Sequence, residues 1–295
     1  MNEEQFLELE GNIQKKYSRY HKSKVDYLPM IFNVETSKKA VENHFGIGAF
    51  GRMTEWNGAV AYDNPVKGYS NSYRHKKLST GVQVDQDMWE DEEYSRIKTE
   101  VNNVGYGVYK TLQVEGASVF NNFVDATVIG PDLVALASNA HHNVPDDDVQ
   151  SNIFTYDMTY GNLETILIAM NNYKDDRGDI MNVMGDCVIC GLHWGKTVRQ
   201  LIGSSKEAFT ADNQENVYTD LTYIINPYIT GKKWFVVSKD LMKGGDGLNF
   251  FMRRDPRKLQ RDVTDFDAEI LKWKAVGRWS YGWDNWYWAA CSNPA

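Results

Sequence analysis

No run of apolar residues in the 295-residue chain approaches the roughly 18 needed to cross a bilayer, so nothing in the sequence is expected to span a membrane. The opening MNEEQFLELEGNIQKK is acidic and has no apolar segment of the kind that makes a secretory signal. Cysteine is scarce and odd in number: three residues, which argues for free thiols in a reducing compartment over a disulfide framework. Positive charge is also in deficit. A net charge of −8 excludes a protein that finds nucleic acid by bulk attraction, though not one whose surface tolerates it. Nucleophile elbow, phosphate loop and HExxH are all missing, and no pair of carboxylates has a nameable acid–base role. No catalytic, cofactor-binding or metal-ligating residue is therefore nominated, and no cofactor is expected.

What the chain does have is a proline-free stretch from Asp85 to Val124. Tyr94, Ile97, Val101, Val104, Val108 and Leu112 recur at helical spacing, and Val119 and Phe123 continue the stripe. Asp85 or Asp87 can cap the amino end, with Asp91, Glu92 and Glu93 in the first turn where the helix dipole favours them. About 33 helical residues would make a rod of about 50 Å. Gly105, Gly107 and Gly116 interrupt it, either as places where another backbone packs closely or as a place where the rod bends.

Before the rod, residues 1–45 read as an arm. A charged helix over 2–20 places Phe6, Leu9, Ile13 and Tyr17 on one face, and a polar irregular segment follows. Gly46, Gly48 and Gly51 match GxGxxG, but without a strand before or a helix after, so they read as a turn and not as a dinucleotide site. Residues 52–84 predict a long hairpin with arms Met53–Tyr62 and Tyr73–Val84 around an Asp63–Asn71 tip, too thin in apolar residues to stand alone. Arg74–Lys77 is a basic cluster. It reads as solvated surface, with an intersubunit contact to Glu90–Glu93 as the sharper alternative.

Beyond the rod, His141 and His142 near Asp146, Asp147 and Asp148 lack the spacing of a metal site. Residues 152–249 alternate helix and strand: a helix around Leu163–Met170, a strand at Met184–Cys190, a helix at Trp194–Ile202, and strands at Val217–Ile225 and Trp234–Ser238. Cys187, Cys190 and His193 imitate part of a zinc motif but read as buried thiols, and Arg177-Gly178-Asp179 reads as a turn. Five of the nine tryptophans, Trp273, Trp279, Trp283, Trp286 and Trp288, crowd a tail that predicts core strands broken at Gly277 and Gly282. A long arm, an unsupported hairpin and an over-long helix all leave surface for a neighbour to cover, as in a protein that interlocks with copies of itself.

That order of elements resembles the major capsid proteins of tailed phages of the Hong Kong 97 type, with the Mu-like major head subunits nearest. The resemblance rests on NVETSKKAVENHFGIGAFGRMTEW, VKGYSNSYRHKKLSTGVQVDQDMWEDEEYSRI, VFNNFVDATVIGPDLVALASNAHH, NVYTDLTYIINPYI with KKWFVVSKD, and the closing RDPRKLQRDVTDFDAEILKWKAVGRWSYGWDNWYWAACSNP. It implies an α+β fold divided into an amino-terminal arm (1–45), an extended loop (46–84), a peripheral domain with its spine helix (85–145), an axial domain (146–250) and the peripheral carboxy-terminal strands (251–295). It further implies hexamers and pentamers of this chain in an icosahedral shell around double-stranded DNA. The partners would be portal, scaffolding and decoration proteins, with no membrane, and the location would be the virion after assembly in the host cytoplasm. Lys67 is the one position for the lysine–asparagine crosslinks of some relatives, and it is expected to be uncrosslinked. No long scaffolding segment precedes the arm. The competing readings are an encapsulin-like nanocompartment shell, a small-molecule enzyme built on 146–250, and a single-strand-binding module using the tryptophan tail.

Overall fold

The computed structural model describes residues 13–15, 17–18, 24–60, 62–65, 67–85, 87–88, 94–142, 149–206, 215–265 and 270–294. Its strands run, in chain order, β1 (Asn33–Thr36), β2 (Val41–Ile47), β3 (Lys67–Arg74), β4 (Lys76–Asp85), β5 (His141–His142), β6 (Val149–Gln150), β7 (Ile153–Phe154), β8 (Cys187–Cys190), β9 (Thr222–Ile225), β10 (Trp234–Val237), β11 (Leu248–Arg254), β12 (Leu259–Asp265), β13 (Ile270–Trp283) and β14 (Ala289–Ser292).

The aromatic tail organises the first sheet. Its 14-residue strand β13 runs unbroken through Gly277 and Gly282, where breaks were expected. Gly277 is packed where a Cβ would strike the Trp279 ring, and Gly282 where it would meet Tyr73 at 2.8 Å, so both glycines admit a neighbour instead of ending the strand. One edge of β13 carries β11 and β12 end to end, divided by the turn at 255–258, and the other carries β4 from Lys76 to Asp85. β1 adds to the far side of β11 in parallel register.

Against this sheet lies a helix over Tyr94–Asn121, 28 residues or about 42 Å at 1.5 Å per residue, close to the span of β13. The expected stripe is its buried face. Ile97, Val101, Val108, Leu112, Val119 and Phe123 are enclosed, Val104 is half-buried, and Tyr109, Ala117 and Phe120 widen the face. The acidic stretch Glu90–Glu93 lies outside the described residues, as does most of the helix expected over 2–20. Ile13 and Tyr17 are buried in the same core as Leu28, Ile31 and Phe32. The described part of the expected arm therefore lies on its own chain.

The second sheet has the order β7-β14-β10-β8-β9, and its three central strands are buried on both faces. Alternation along each strand divides the side chains: Cys187, Ile189, Phe235, Val237, Ala289 and Cys291 join the core of the long helix. Val188, Cys190, Trp234, Val236 and Ala290 face the second cluster, built on the helices Tyr160–Asn171 and Gly195–Ile202. The first of these helices is capped by Thr159, whose hydroxyl accepts from the Asn162 amide at 3.3 Å. The last strand, β14, sits between β10 and β7, so residues 289–292 belong to a different sheet from 248–283. Its small residues Ala289 and Ala290 suit a strand covered on both sides.

The hairpin is built differently from expectation. Met53–Tyr62 forms no strand among its described residues. β3 pairs instead with β2, from Val41 with Arg74 to Ile47 with Lys67, and β4 joins β13. Gly46 and Gly68 explain the register: their backbones pass so closely that a Cβ on either would meet the other strand at 2.9 Å. The result is a two-stranded ribbon carrying the loop 48–66 at its tip.

Candidate assembly surface

The ribbon tip concentrates exposed apolar surface. Phe45, Ile47, Phe50, Met53, Trp56, Val60 and Tyr62 all point into solvent, with Met53 fully exposed and Tyr62 at 90 %. Seven large apolar side chains within 18 residues far exceed the scattered singles of an ordinary surface.

Polar bonds hold this loop to its own chain while the apolar side chains stay outside. The Ala49 amide donates to Asp176 Oδ1 at 2.9 Å, and Arg177 Nε donates to the Ala49 carbonyl at 2.8 Å. Arg177 also pairs with Asp63, and Arg52 with Asp179. Asp175 builds the receiving turn by accepting from the amides of Arg177 and Asp179, with Gly178 at φ +81°. The Arg-Gly-Asp tripeptide is thus a turn, as its sequence predicts, and it is also the seat of the loop.

Two buried polar centres fix the ribbon root to the first sheet. Asp284, just past β13, accepts from Tyr73 Oη at 2.6 Å and from Asn249 Nδ2 at 3.1 Å, and lies 2.7 Å from His44 Nδ1. Burial and the facing Asp284 carboxylate push the Tyr73 hydroxyl far above its ordinary range. His75 is the second centre. Ser37 Oγ donates to Glu42 Oε1 at 2.7 Å, which leaves it to accept from His75 Nε2 at 3.0 Å; His75 Nδ1 then accepts from Ser280 Oγ at 2.9 Å. Burial holds the His75 imidazole below its ordinary value, and neighbouring Arg278 adds to this. Within the expected basic cluster, then, His75 is interior, and Lys76 pairs with Glu115 over the Tyr281 ring.

Of the residues weighed as metal ligands, His141, Cys187 and Cys190 are all buried. His141 Nδ1 lies 2.6 Å from Asp132, its Nε2 lies 3.1 Å from Asn152 Oδ1, and its ring stacks on Trp286. Asp146–Asp148 lie outside the described residues. Cys187 and Cys190 face opposite sides of their strand, so they cannot share one ion. Burial raises both thiols, Cys190 to about 12. Among the described residues no group of three His, Cys, Asp or Glu side chains could hold a metal, and no helix is long and apolar enough to cross a membrane.

A cleft of about 310 Å³ separates the ribbon from the second sheet. Its lining includes Asp175, Asp176 and Asp284, each of which already accepts the structural hydrogen bonds described above. Asp246 also lines the cleft, and Asp176 Oδ2 is buried there without a hydrogen-bond partner among the described residues. No sequence motif signals Asp284 and His75, because their partners lie up to 240 residues away. Lys67, the one candidate crosslinking position, has its ammonium 5.7 Å from the centroid of the Phe45 ring.

No family model matches the chain, and no curated protein matches its sequence. Solved structures do match. The procapsid protein of bacteriophage JBD30 is 14 % identical, with a TM-score of 0.55 over 100 % of this chain and 77 % of that one. A virus-like particle from Pyrococcus furiosus is 9 % identical, with a TM-score of 0.57 over 96 % and 98 %. A chain of Microbacterium phage Oxtober96 is 12 % identical, with a TM-score of 0.51 over 90 % of each. Over most of its length, then, this chain has the Hong Kong 97-type fold seen in tailed-phage capsid structures.

Proposed function

We propose that this chain is a major capsid protein whose work is self-association: hexamers and pentamers of it close an icosahedral shell around double-stranded DNA. The observation that carries this reading is the ribbon end, where seven large apolar side chains are exposed on β2 and on the loop beyond it, which ion pairs anchor. An interlocking partner would remove that surface from water, at roughly 25 cal/mol for each Å² covered. A second copy is the economical partner because a closed shell repeats one interface.

On this reading Tyr94–Asn121 is the spine of a peripheral domain that includes the first sheet, and residues 146–250 with β14 form the axial domain. The arm is the part of residues 1–45 ahead of β1, and the extended loop that crosses onto an adjacent subunit is the β2–β3 ribbon with its tip, since β4 is bound to β13. Portal, scaffolding and decoration proteins would meet the assembled shell in the virion, built in the cytoplasm of a bacterial host. The role is structural and requires no chemistry of the buried polar centres.

Electron microscopy of the chain expressed alone tests the proposal: closed shells, tubes or capsomers are expected, and a strictly monomeric protein at every concentration would overturn it. The likeness to a virus-like particle over nearly the whole of both chains favours a second reading, an encapsulin-like compartment. Nuclease-resistant DNA inside purified particles supports the virus, and enclosed protein cargo supports the compartment.

A further inference from the structure

Three cations stand in one line across the first sheet. Arg278, in the middle of β13, is the direct cross-strand neighbour of Lys77 on β4 and of Arg254 on β11. Directly opposed residues of antiparallel strands share a face and lie about 5 Å apart. That face is turned away from the long helix, since Trp273, Ala275 and Trp279 of β13 alternate into the core. A β-bulge between Met252 and Arg254 adds a fourth cation: regular alternation after buried Met252 would turn Arg254 inward, and the extra residue lets Arg253 and Arg254 both emerge.

Lys77, Arg253 and Arg254 are exposed and Arg278 is half-buried, and among the described residues none of the four has an ion-pair partner. Like charges directly opposed across a strand pair destabilise a sheet, and an anion laid over the line would relieve that cost. The field of the line reaches into the chain: after burial, Arg278 and then Arg253 help to hold His75 below its ordinary value. Lys77 and Arg254 border a shallow concavity of about 550 Å³, where the Ser79 hydroxyl and the Gln260 amide add hydrogen-bond donors. Lys274 borders it too, but is already engaged within the chain. Among the described residues Val276 is the one large apolar side chain in its wall.

We propose that this line is an oligophosphate site, in which Lys77, Arg278 and Arg254, with Arg253 beside them, hold successive phosphate groups of one ligand. Such a ligand carries several anionic groups and no apolar body, as a free polyphosphate or the backbone of a nucleic acid does. The walls make the choice of chemistry. Protein partners are held by buried aromatic and aliphatic anchors, and the concavity offers only Val276 to meet one. Three of the four cations are arginines, whose forked donors take two phosphate oxygens at once. A net charge of −8 confines the attraction to this patch, so binding is salt-sensitive and short in range. The site is complete in the single chain and stands apart from the self-association proposed above.

Binding to the full chain tests the inference, with tripolyphosphate titrated by calorimetry and a labelled DNA duplex followed by fluorescence anisotropy. Saturable binding at low salt is expected. Arg254→Gln with Arg278→Gln should weaken it by about tenfold or more. Arg254→Lys keeps the charge but loses the fork, and should weaken it less. For the duplex, each phosphate contact removed should lower the slope of log affinity against log salt by about 0.9. Arg96→Gln removes a cation of the long helix and should leave both probes unaffected. Binding of tripolyphosphate alone would identify a free oligophosphate as the source, and binding of the duplex with the altered slope would identify a nucleic-acid backbone; either supports the site. Circular dichroism identifies any variant that fails to fold, and Lys77→Gln with Arg254→Gln, both at exposed positions, then carries the test. No binding of either probe, or equal binding by wild type and folded variants, overturns the inference. If those variants bind both probes normally but lose self-association, the cations belong to a subunit contact and the oligophosphate site is rejected.

Discussion

Leu28 fills the notch that Gly116 leaves in the long helix. A Cβ at position 116 would drive into the Leu28 side chain and meet Phe32 at 3.4 Å. Gly105 makes a looser version of the same contact, with Tyr17 at 3.3 Å, whereas Gly107 faces open space. Close packing therefore accounts for two of the three glycines. Gly116→Ala is expected to cost about 1–3 kcal/mol by overpacking. Gly107→Ala should gain about 1 kcal/mol from helix propensity. Urea denaturation of unassembled protein checks both. If Gly107→Ala is neutral in the single chain yet slows a change of particle shape, the bending role survives at that position alone.

The ribbon tip should be dispensable for folding and essential for association. Met53→Ser with Trp56→Ser removes two exposed apolar groups and breaks no contact described within the chain. The unfolding midpoint should stay within about 0.5 kcal/mol of wild type, while sedimentation shows the loss of assembled species.

Removing the Asp284 centre should act in the opposite way. Asp284→Ala leaves Tyr73 Oη without its acceptor, and Asn249 Nδ2 with only the Gly245 carbonyl, in a mostly buried site. A cost of about 2–4 kcal/mol is expected, with faster hydrogen exchange through β2 and β3 before any other strand. Uniform loss of protection across both sheets would count against a local anchoring role.

Acid should loosen the same root. Because the folded chain holds His75 below its ordinary value, the unfolded chain binds the proton first as pH falls. The stability from neutral His75 is therefore full above an unfolded value of about 6.5 and is lost as pH drops through it. Glu42, held down chiefly by the Ser37 hydroxyl, adds stability that disappears only at more acidic pH, below the ordinary carboxylate value. Denaturation at about pH 7.5 and about pH 5.5 should show the loss, and His75→Gln should reduce it. An unchanged slope in His75→Gln would assign the effect to other groups.

Where structure follows local periodicity, the sequence is readable. The helical stripe from Ile97 to Phe123, the cap at Thr159 and the strands at Cys187 and Trp234 depend on residues within a few turns of one another. The ribbon is misread because its partner choice is non-local. Val41–Ile47 is polar enough to pass for an irregular arm, and only the Gly46–Gly68 crossing reveals the pairing. Gly277 looks like a strand break because the Trp279 ring that needs its space is not legible from propensity. The polar centres at Asp284 and His75 gather side chains from opposite ends of the chain, and no spacing rule announces them.

The position of β14 has a consequence for synthesis. Residues Ala289–Ser292 form an interior strand of the second sheet, hydrogen-bonded to β10 on one side and β7 on the other. A chain still emerging from the ribosome holds β7, β8, β9 and β10 with a gap in their middle until residue 292 is free. Nascent and prematurely terminated chains therefore lack a finished sheet. The second sheet can close only once Ala289–Ser292 are available to fill the gap between β10 and β7.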